Sequence, residues 1–272
     1  MKRVCVITGG GSGMGLSAAK FLPKDTLIVL AGRTLSKLDH AVKELTGLGY
    51  EAYAQVCDTQ NRKSVHELAL FAQEKGQVQT LIHAAGISPG MADAEALLRI
   101  NALGTVYINE EFAKVMDHGV IVDISSNSAY ALPGFLVSEK TYALASTDET
   151  AFLKKCLRLP RLIRDPYRQA GLAYAISKNF VVWYAQKCAF QYGPKGIRVC
   201  SLSPGLIATD MGRLEEKEGG AMLAYSAQER MGTPEELGFA IAMAADERNG
   251  YLCGVDILVD GGSTNGKRFK RR

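Results

Sequence analysis

The chain has 272 residues, 47% of them hydrophobic and 22% charged, an ordinary composition for a globular protein long enough to bury a sizeable core. Its net charge of +4 is concentrated at the end, where Lys267, Arg268, Lys270, Arg271 and Arg272 lie within the last six residues. That placement argues against a nucleic-acid surface spread over the body and marks residues 263–272 as a basic tail with a solvated, disordered end.

In chain order, Arg3 to Thr8 is a short apolar run with β-branched residues and predicts a strand. A glycine-rich turn follows, and Gly13 to Leu22 predicts a helix stopped near Pro23. Thr26 to Ala31 predicts a second buried strand. Leu35, Leu38, Ala41, Val42, Leu45 and Leu48 then recur at helical spacing, with Thr34 as N-cap and Gly47 and Gly49 as stop signals. Strands are expected at Tyr50–Cys57, Val78–Ala85 and Gly119–Ser125, and helices at about Asn61–Lys75 and Ala94–Met116. After an irregular stretch, Leu172–Tyr192 predicts a helix, Ile197–Leu202 a strand, Pro234–Ala245 a helix and Val255–Val259 a strand. Near-continuous apolar strands alternating with amphipathic helices predict an α/β fold, a doubly wound parallel sheet of the Rossmann type. No linker or internal repeat interrupts it, so residues 1–272 read as a single dinucleotide-binding and catalytic domain.

The six cysteines are scattered, with no C-x-x-C pair, which fits a reducing compartment and a cytoplasmic location. The four histidines show no metal-ligand spacing, so no metal is expected. No signal-peptide core or membrane-spanning stretch is evident, so no membrane partner is expected.

The first strand runs into Gly9-Gly10-Gly11-Ser12-Gly13-Met14-Gly15. Ligands of doubly wound sheets bind outside the carboxyl ends of the strands, where glycines let backbone approach a pyrophosphate and a helix N-terminus offers free N–H groups. Gly9, Gly11, Ser12, Gly13, Met14 and Gly15 are therefore candidate cofactor contacts. An acid at the end of the second strand would accept from a free ribose 2′-hydroxyl. The chain has Ala31-Gly32-Arg33-Thr34 there, and a guanidinium can hold a 2′-phosphate bidentately. Arg33 thus predicts NADP(H) over NAD(H).

Tyr174 and Lys178 are four residues apart in Tyr174-Ala175-Ile176-Ser177-Lys178, so on a helix they share one face. A phenol has a pKa of about 10. A fixed positive charge beside it favours the phenolate, and a phenol tuned in this way can exchange a proton with an alcohol or carbonyl near neutral pH.

Taken in order, these segments closely resemble the short-chain dehydrogenase/reductase family over nearly the whole chain. The resemblance rests on Thr8-Gly9-x3-Gly13-x-Gly15, Ala85-Gly86, Asn101, Ser126, Tyr174-x3-Lys178, Ser203-Pro204-Gly205-Leu206-Ile207-Ala208-Thr209, and Val259-Asp260-Gly261-Gly262. It implies an enzyme that interconverts a secondary alcohol and a ketone or aldehyde by hydride transfer. It implies Tyr174 as general acid/base and Lys178 as the group that lowers its pKa and holds the nicotinamide ribose. It implies Ser126, with Ser125 as fallback, on the substrate oxygen, and Asn101 on a water that links Lys178 to solvent. Asp58 and Thr59 resemble the adenine-contacting pair, Ala85 and Gly86 a backbone wall of the cofactor site, and Pro204, Gly205, Ile207 and Thr209 the carboxamide-holding segment. A homo-oligomer, dimer or tetramer, is also implied, with a small-molecule substrate and no nucleic acid.

Two departures stand out. The family usually has Asn-Asn-Ala-Gly where this chain has His83-Ala84-Ala85-Gly86, so the sheet is expected to lose the support of an Asn side chain, with His83 as a packed strand residue. The separation of Ser126 and Tyr174 also far exceeds the family norm, which makes about 132–170 an insertion. Within it, Ser146-Thr147-Asp148-Glu149 predicts a capping box, and Phe152, Cys156, Leu159 and Ile163 follow at helical spacing. The opposite side, Lys154, Lys155, Arg158, Arg161, Arg164 and Arg168, reads as a solvated face. The insertion is expected to shape the substrate entrance, alter a helix-pairing dimer interface, or both. Together with the short connection from Gly86 to Asn101, it resembles the 3α-hydroxysteroid dehydrogenase/carbonyl reductase branch. Leu132, Phe135, Leu136, Met211, Leu214, Met222 and Leu223 flank the expected pocket and suggest a hydrophobic, ring-shaped substrate. An NAD(H)-dependent hydroxysteroid dehydrogenase is the nearest alternative, and a cofactor-binding sensor with vestigial chemistry is an alternative of another class.

Overall fold

The computed structural model describes residues 2–133, 136–209, 211–212 and 223–269. Phe135, Leu214, Met222 and the last three basic residues of the tail lie outside the described residues.

Seven parallel strands form one sheet in the order β3-β2-β1-β4-β5-β6-β7. They are β1 (Arg3–Thr8), β2 (Leu27–Gly32), β3 (Ala52–Val56), β4 (Gln77–His83), β5 (Gly119–Ile124), β6 (Ile197–Pro204) and β7 (Asp256–Val259). The order reverses at β1/β4, and such a switch point opens a crevice at the carboxyl ends of the strands. Alternate strand residues feed two apolar layers. Val4, Val6, Leu81, Ile121 and Val199 face α3 (Arg62–Lys75), α5 (Gly104–Val115) and α8 (Pro166–Tyr192). Cys5, Ile7, Ile82, Val122 and Cys200 face α1 (Gly13–Ala19), α2 (Leu35–Gly47) and α9 (Pro234–Ala245). Burial on both faces accounts for the unbroken apolar strands.

Several boundaries differ from the sequence reading, each for a local reason. α1 stops at Ala19, because Lys20, Phe21 and Leu22 turn back onto the carbonyls three residues earlier before Pro23. The helix expected over Ala94–Met116 is α4 (Ala94–Leu98), a π-helical turn (Arg99–Leu103) and α5. α8 starts at Pro166, six residues earlier than expected, with Asp165 accepting from the Arg168 N–H as its N-cap. The end of the chain is not wholly irregular, since Ser263–Phe269 forms a short helix, α10.

The segment between β5 and α8 holds α6 (Glu139–Ala143) and α7 (Glu149–Cys156). Asp148, not Ser146, caps α7, accepting from the Ala151 N–H. The helical run does not continue to Ile163, because Pro160 cannot extend it. Tyr142 of α6 and Phe152 of α7 pack on Phe180 of α8, with ring centroids 5.3 and 5.2 Å away. Phe180 in turn stacks on Tyr184 at 5.3 Å. The inserted helices therefore cover the outer face of α8, while Lys154, Lys155, Arg158, Arg161, Arg164 and Arg168 stay exposed.

Candidate active site

The turn after β1 is shaped by its glycines. Gly9 and Gly13 have φ of +67° and +58°, which side chains rarely adopt. A Cβ at Gly9 would also lie 2.8 Å from the Ala84 carbonyl. The chain therefore passes close to β4 and leaves a cleft of about 390 Å³ at the carboxyl ends of the first four strands. Of the candidate cofactor contacts, Gly9, Ser12, Gly13, Met14, Gly15, Arg33, Asp58, Thr59, Ala85, Gly86 and Thr209 line it. Gly11, Pro204, Gly205, Ile207, Tyr174 and Lys178 do not line this cleft; Ile207 lines a neighbouring cavity of about 350 Å³ with Leu206 and Leu223. The sequence reading missed Ala84, Ile87, Ile100 and Gln60 as lining residues, and placed Met211 beside the substrate rather than in this cleft. The only signal for those four was position, beside Ala85, Gly86, Asn101 and Thr59.

The turn suits a pyrophosphate. Ser12 precedes α1 exposed, with no capping bond from its side chain. Arg33 is exposed and forms no ion pair among the described residues. Asp58 is half-buried and accepts from the Gln60 N–H at 3.1 Å, which fixes its carboxylate at the cleft edge. Gly205 packs against Asp260, where a Cβ would come within 2.8 Å.

Tyr174 and Lys178 lie one turn apart on α8, with Lys178 Nζ 5.8 Å from the Tyr174 ring centroid. Tyr174 is half-buried and Lys178 buried. Lys178 Nζ donates to the Ile124 carbonyl at 3.0 Å, and Ser125 Oγ donates to the Lys178 carbonyl at 2.7 Å. The end of β5 thus holds Lys178 by two bonds. Ser125 is committed to that structure, whereas the half-buried Ser126 starts the next turn and accepts from the Ser128 N–H at 3.2 Å.

Asn101 sits in the π turn, buried. Its Oδ1 accepts from the Ile87 N–H and its Nδ2 donates to the Ile87 carbonyl, both at 2.9 Å. Its Nδ2 also reaches Ser177 Oγ on α8 at 3.3 Å. Gly86 joins this cluster to the cleft: a Cβ there would lie 3.2 Å from Asn101 Oδ1 and 3.4 Å from Lys178 Nζ. Asn101, Gly86 and Lys178 therefore meet at the cleft wall, with Tyr174 on the same helix face.

His83, where the family usually has Asn, is a packed residue of β4 and bonds a neighbouring strand with its own side chain. Its Nδ1 lies 2.7 Å from Thr8 Oγ1, across β4 and β1. Thr8 Oγ1 also accepts from the Ala85 N–H at 3.2 Å, so its own proton is free for the imidazole. Burial, helped by the Lys178 charge, pushes the imidazole pKa down to about 3 and keeps it neutral. His83 is a strut between strands.

Comparison with known proteins agrees with this architecture. A family model described as short chain dehydrogenase matches residues 3–138, and one described as Enoyl-(Acyl carrier protein) reductase matches residues 165–264. The chain is 28% identical to the short-chain dehydrogenase/reductase bsc3 of Alternaria brassicicola, over 97% of this chain and 96% of that one. It is 26% identical to a 7alpha-hydroxysteroid dehydrogenase of Bacteroides fragilis, over 96% and 94%. The structure of a short-chain type dehydrogenase/reductase from Mycobacterium ulcerans superposes with a TM-score of 0.77 at 23% identity, over 97% of this chain and 90% of that one. The sheet order, the glycine turn at its switch point and the matched family models lead to one assignment: the chain belongs to the short-chain dehydrogenase/reductase family and is an oxidoreductase of alcohols and ketones.

Proposed function

We propose that the protein is an NADP(H)-dependent oxidoreductase that interconverts a secondary alcohol and a ketone on a hydrophobic, ring-shaped substrate. The observation that carries this reading is the meeting of Lys178 Nζ and Asn101 Oδ1 at Gly86, on the wall of the cleft. When bound, NADP(H) supplies or takes up the hydride. Tyr174 gives its phenolic proton to the substrate oxygen in reduction and takes it back in oxidation. Lys178 favours the phenolate by its charge, and Asn101 holds the route by which Lys178 is reprotonated. Ser126 donates to the substrate oxygen and fixes its position. Arg33, exposed at the end of β2, holds the 2′-phosphate. Gly9, Gly11, Ser12, Gly13, Met14 and Gly15 cradle the pyrophosphate, Asp58 and Thr59 the adenine, and Pro204, Gly205, Ile207 and Thr209 the carboxamide.

Half-buried Leu136, Met211 and Leu223 supply apolar surface on the substrate side. We place the chain in a reducing, cytoplasmic compartment, folded as a single domain. Its oligomer would form through the exposed edge-to-face pair Phe21 and Phe239 rather than through α8, whose outer face the inserted helices cover.

The test is a panel of ring and open-chain carbonyls with each cofactor, on the wild type and on Arg33→Ala. A guanidinium–phosphate bond contributes about 1.5–3 kcal/mol, so the variant should lose roughly 10- to 150-fold in kcat/KM for NADPH and little for NADH. A wild type that prefers NADH, or turns over only open-chain ketones, refutes the corresponding part of the reading.

A further inference from the structure

In-register residues of a parallel sheet project to the same face. Thr8, His83, Asp123 and Ser201 are in register across β1, β4, β5 and β6, and all are buried. They end the apolar columns on the α8 side with a polar row just below the cofactor rim. Lys178 Nζ is bonded to the carbonyl of Ile124, the residue after Asp123.

Neutral members of this row bond one another or a neighbour, with only His83 Nε2 left without a partner among the described residues. Thr8 and His83 bond each other, and Ser201 Oγ donates to Asp256. Asp123 is the one carboxylate of the row, and it is thinly solvated. Its one side-chain donor among the described residues is Asn109 Nδ2, at 2.9 Å from Oδ1 and 3.1 Å from Oδ2. That nitrogen also donates to the Thr105 carbonyl at 3.0 Å. An amide nitrogen has two hydrogens, so a single N–H serves both carboxylate oxygens. A buried carboxylate so poorly solvated resists ionisation. Burial pushes the Asp123 pKa up to about 7, while the Asn109 bond and the Lys178 charge oppose the rise.

The titratable groups around Asp123 come from three elements. α8 contributes Lys178, Cys188 and Tyr192, β6 contributes Cys200, and β4 contributes His83. Burial pushes Cys188 and Cys200 up to about 12 and raises Tyr192 further, while His83 stays neutral. Lys178 is therefore the one of these groups that carries charge at neutral pH.

We infer that Asp123 is a positioning residue acting through Lys178: its buried carboxylate offsets the positive field that Lys178 presents to Tyr174 and so sets the pH at which Tyr174 passes its proton. This rests on the Tyr174–Lys178 reading above. The sign follows from charge. Ionised Asp123 weakens the stabilisation of the Tyr174 phenolate, so removing its charge lets Tyr174 deprotonate at lower pH.

Asp123→Asn keeps an acceptor for Asn109 and removes the charge. The pKa of the Tyr174 limb in the kcat profile should fall by about half a pH unit or more. The two profiles should converge below about pH 6, where Asp123 is protonated in the wild type. A second measurement needs no activity. In protein labelled with 13C at its aspartate carboxyls, one buried carboxyl should titrate near neutral pH, and its midpoint should rise in Lys178→Met. Superimposable kcat profiles, or a midpoint unmoved by Lys178→Met, overturn the proposal and leave the oxidoreductase reading intact. Wild-type protein inactive on every carbonyl would sink that reading, while the carboxyl titration still decides whether Asp123 and Lys178 are coupled.

Discussion

Replacing Gly86 by alanine adds one methyl group where Asn101, Lys178 and the cleft meet. The new Cβ would sit 3.2 Å from Asn101 Oδ1 and 3.4 Å from Lys178 Nζ. The second distance is ordinary contact, and the first is too close. Asn101 cannot simply retreat, because two bonds of 2.9 Å tie its amide to the Ile87 backbone. Each such bond contributes about 1 kcal/mol, so the amide should tilt by a few tenths of an ångström rather than let go, at a stability cost of about 1 kcal/mol. For a protein of this size that lowers Tm by about 2–4 °C. Misplacement by 1 Å can cost about 100-fold in rate, so a tilt of about 0.3 Å predicts roughly a fourfold loss in kcat. The assay is kcat at saturating cofactor and ketone, with Tm alongside. Gly171→Ala is the control. It lies on α8 near Tyr174, with nothing within 4 Å of its added methyl. Helix propensity should make it more stable by up to about 1 kcal/mol, with kcat unchanged. Equal kcat for Gly86→Ala and wild type, or equal losses in both variants, would refute the geometric reasoning.

Phe152 is fully buried between α7 and α8, so Phe152→Ala should cost about 3–5 kcal/mol and lower Tm by about 6–20 °C. A fall below about 2 °C in thermal melts would mean that the inserted helices are not coupled to the sheet. His83 gives a pH prediction. Its pKa is about 3 in the fold against an ordinary 6.5, so the unfolded chain binds its proton first. Its contribution to stability is complete above pH 6.5 and is lost as pH falls toward 3. His83→Asn keeps an acceptor for Thr8 and should flatten the decline in Tm between pH 7 and pH 4, whereas an unchanged acid slope would contradict that assignment.

Much of this architecture is legible in the sequence because it is local. Apolar runs such as Thr26–Ala31 and the glycine spacing at 9–15 locate strands and cleft without knowledge of their neighbours. The positions of Arg33 and Asp58 on the cleft are legible for the same reason, since each lies within two residues of a strand end. The insertion was harder. Ser146 and Asp148 are both good caps, but Ser146 belongs to the preceding 3₁₀ turn, Leu144–Ser146, and Asp148 is left to start α7. The true start of α8 had a signal in Asp165-Pro166, which the apolar periodicity from Leu172 obscured. The π turn at Asn101 leaves no mark in composition. Nor do the partners of His83, Ser125 and Asp123, because register between distant strands brings them together.

The account stands on proton exchange at Tyr174. Its most direct test is single-turnover oxidation of NADPH by a reducible ring ketone, comparing wild type with Tyr174→Phe at equal, verified NADPH occupancy. The account predicts that the phenylalanine variant binds NADPH normally and loses at least about 100-fold in the rate of its oxidation. Equal rates in the two proteins would contradict it.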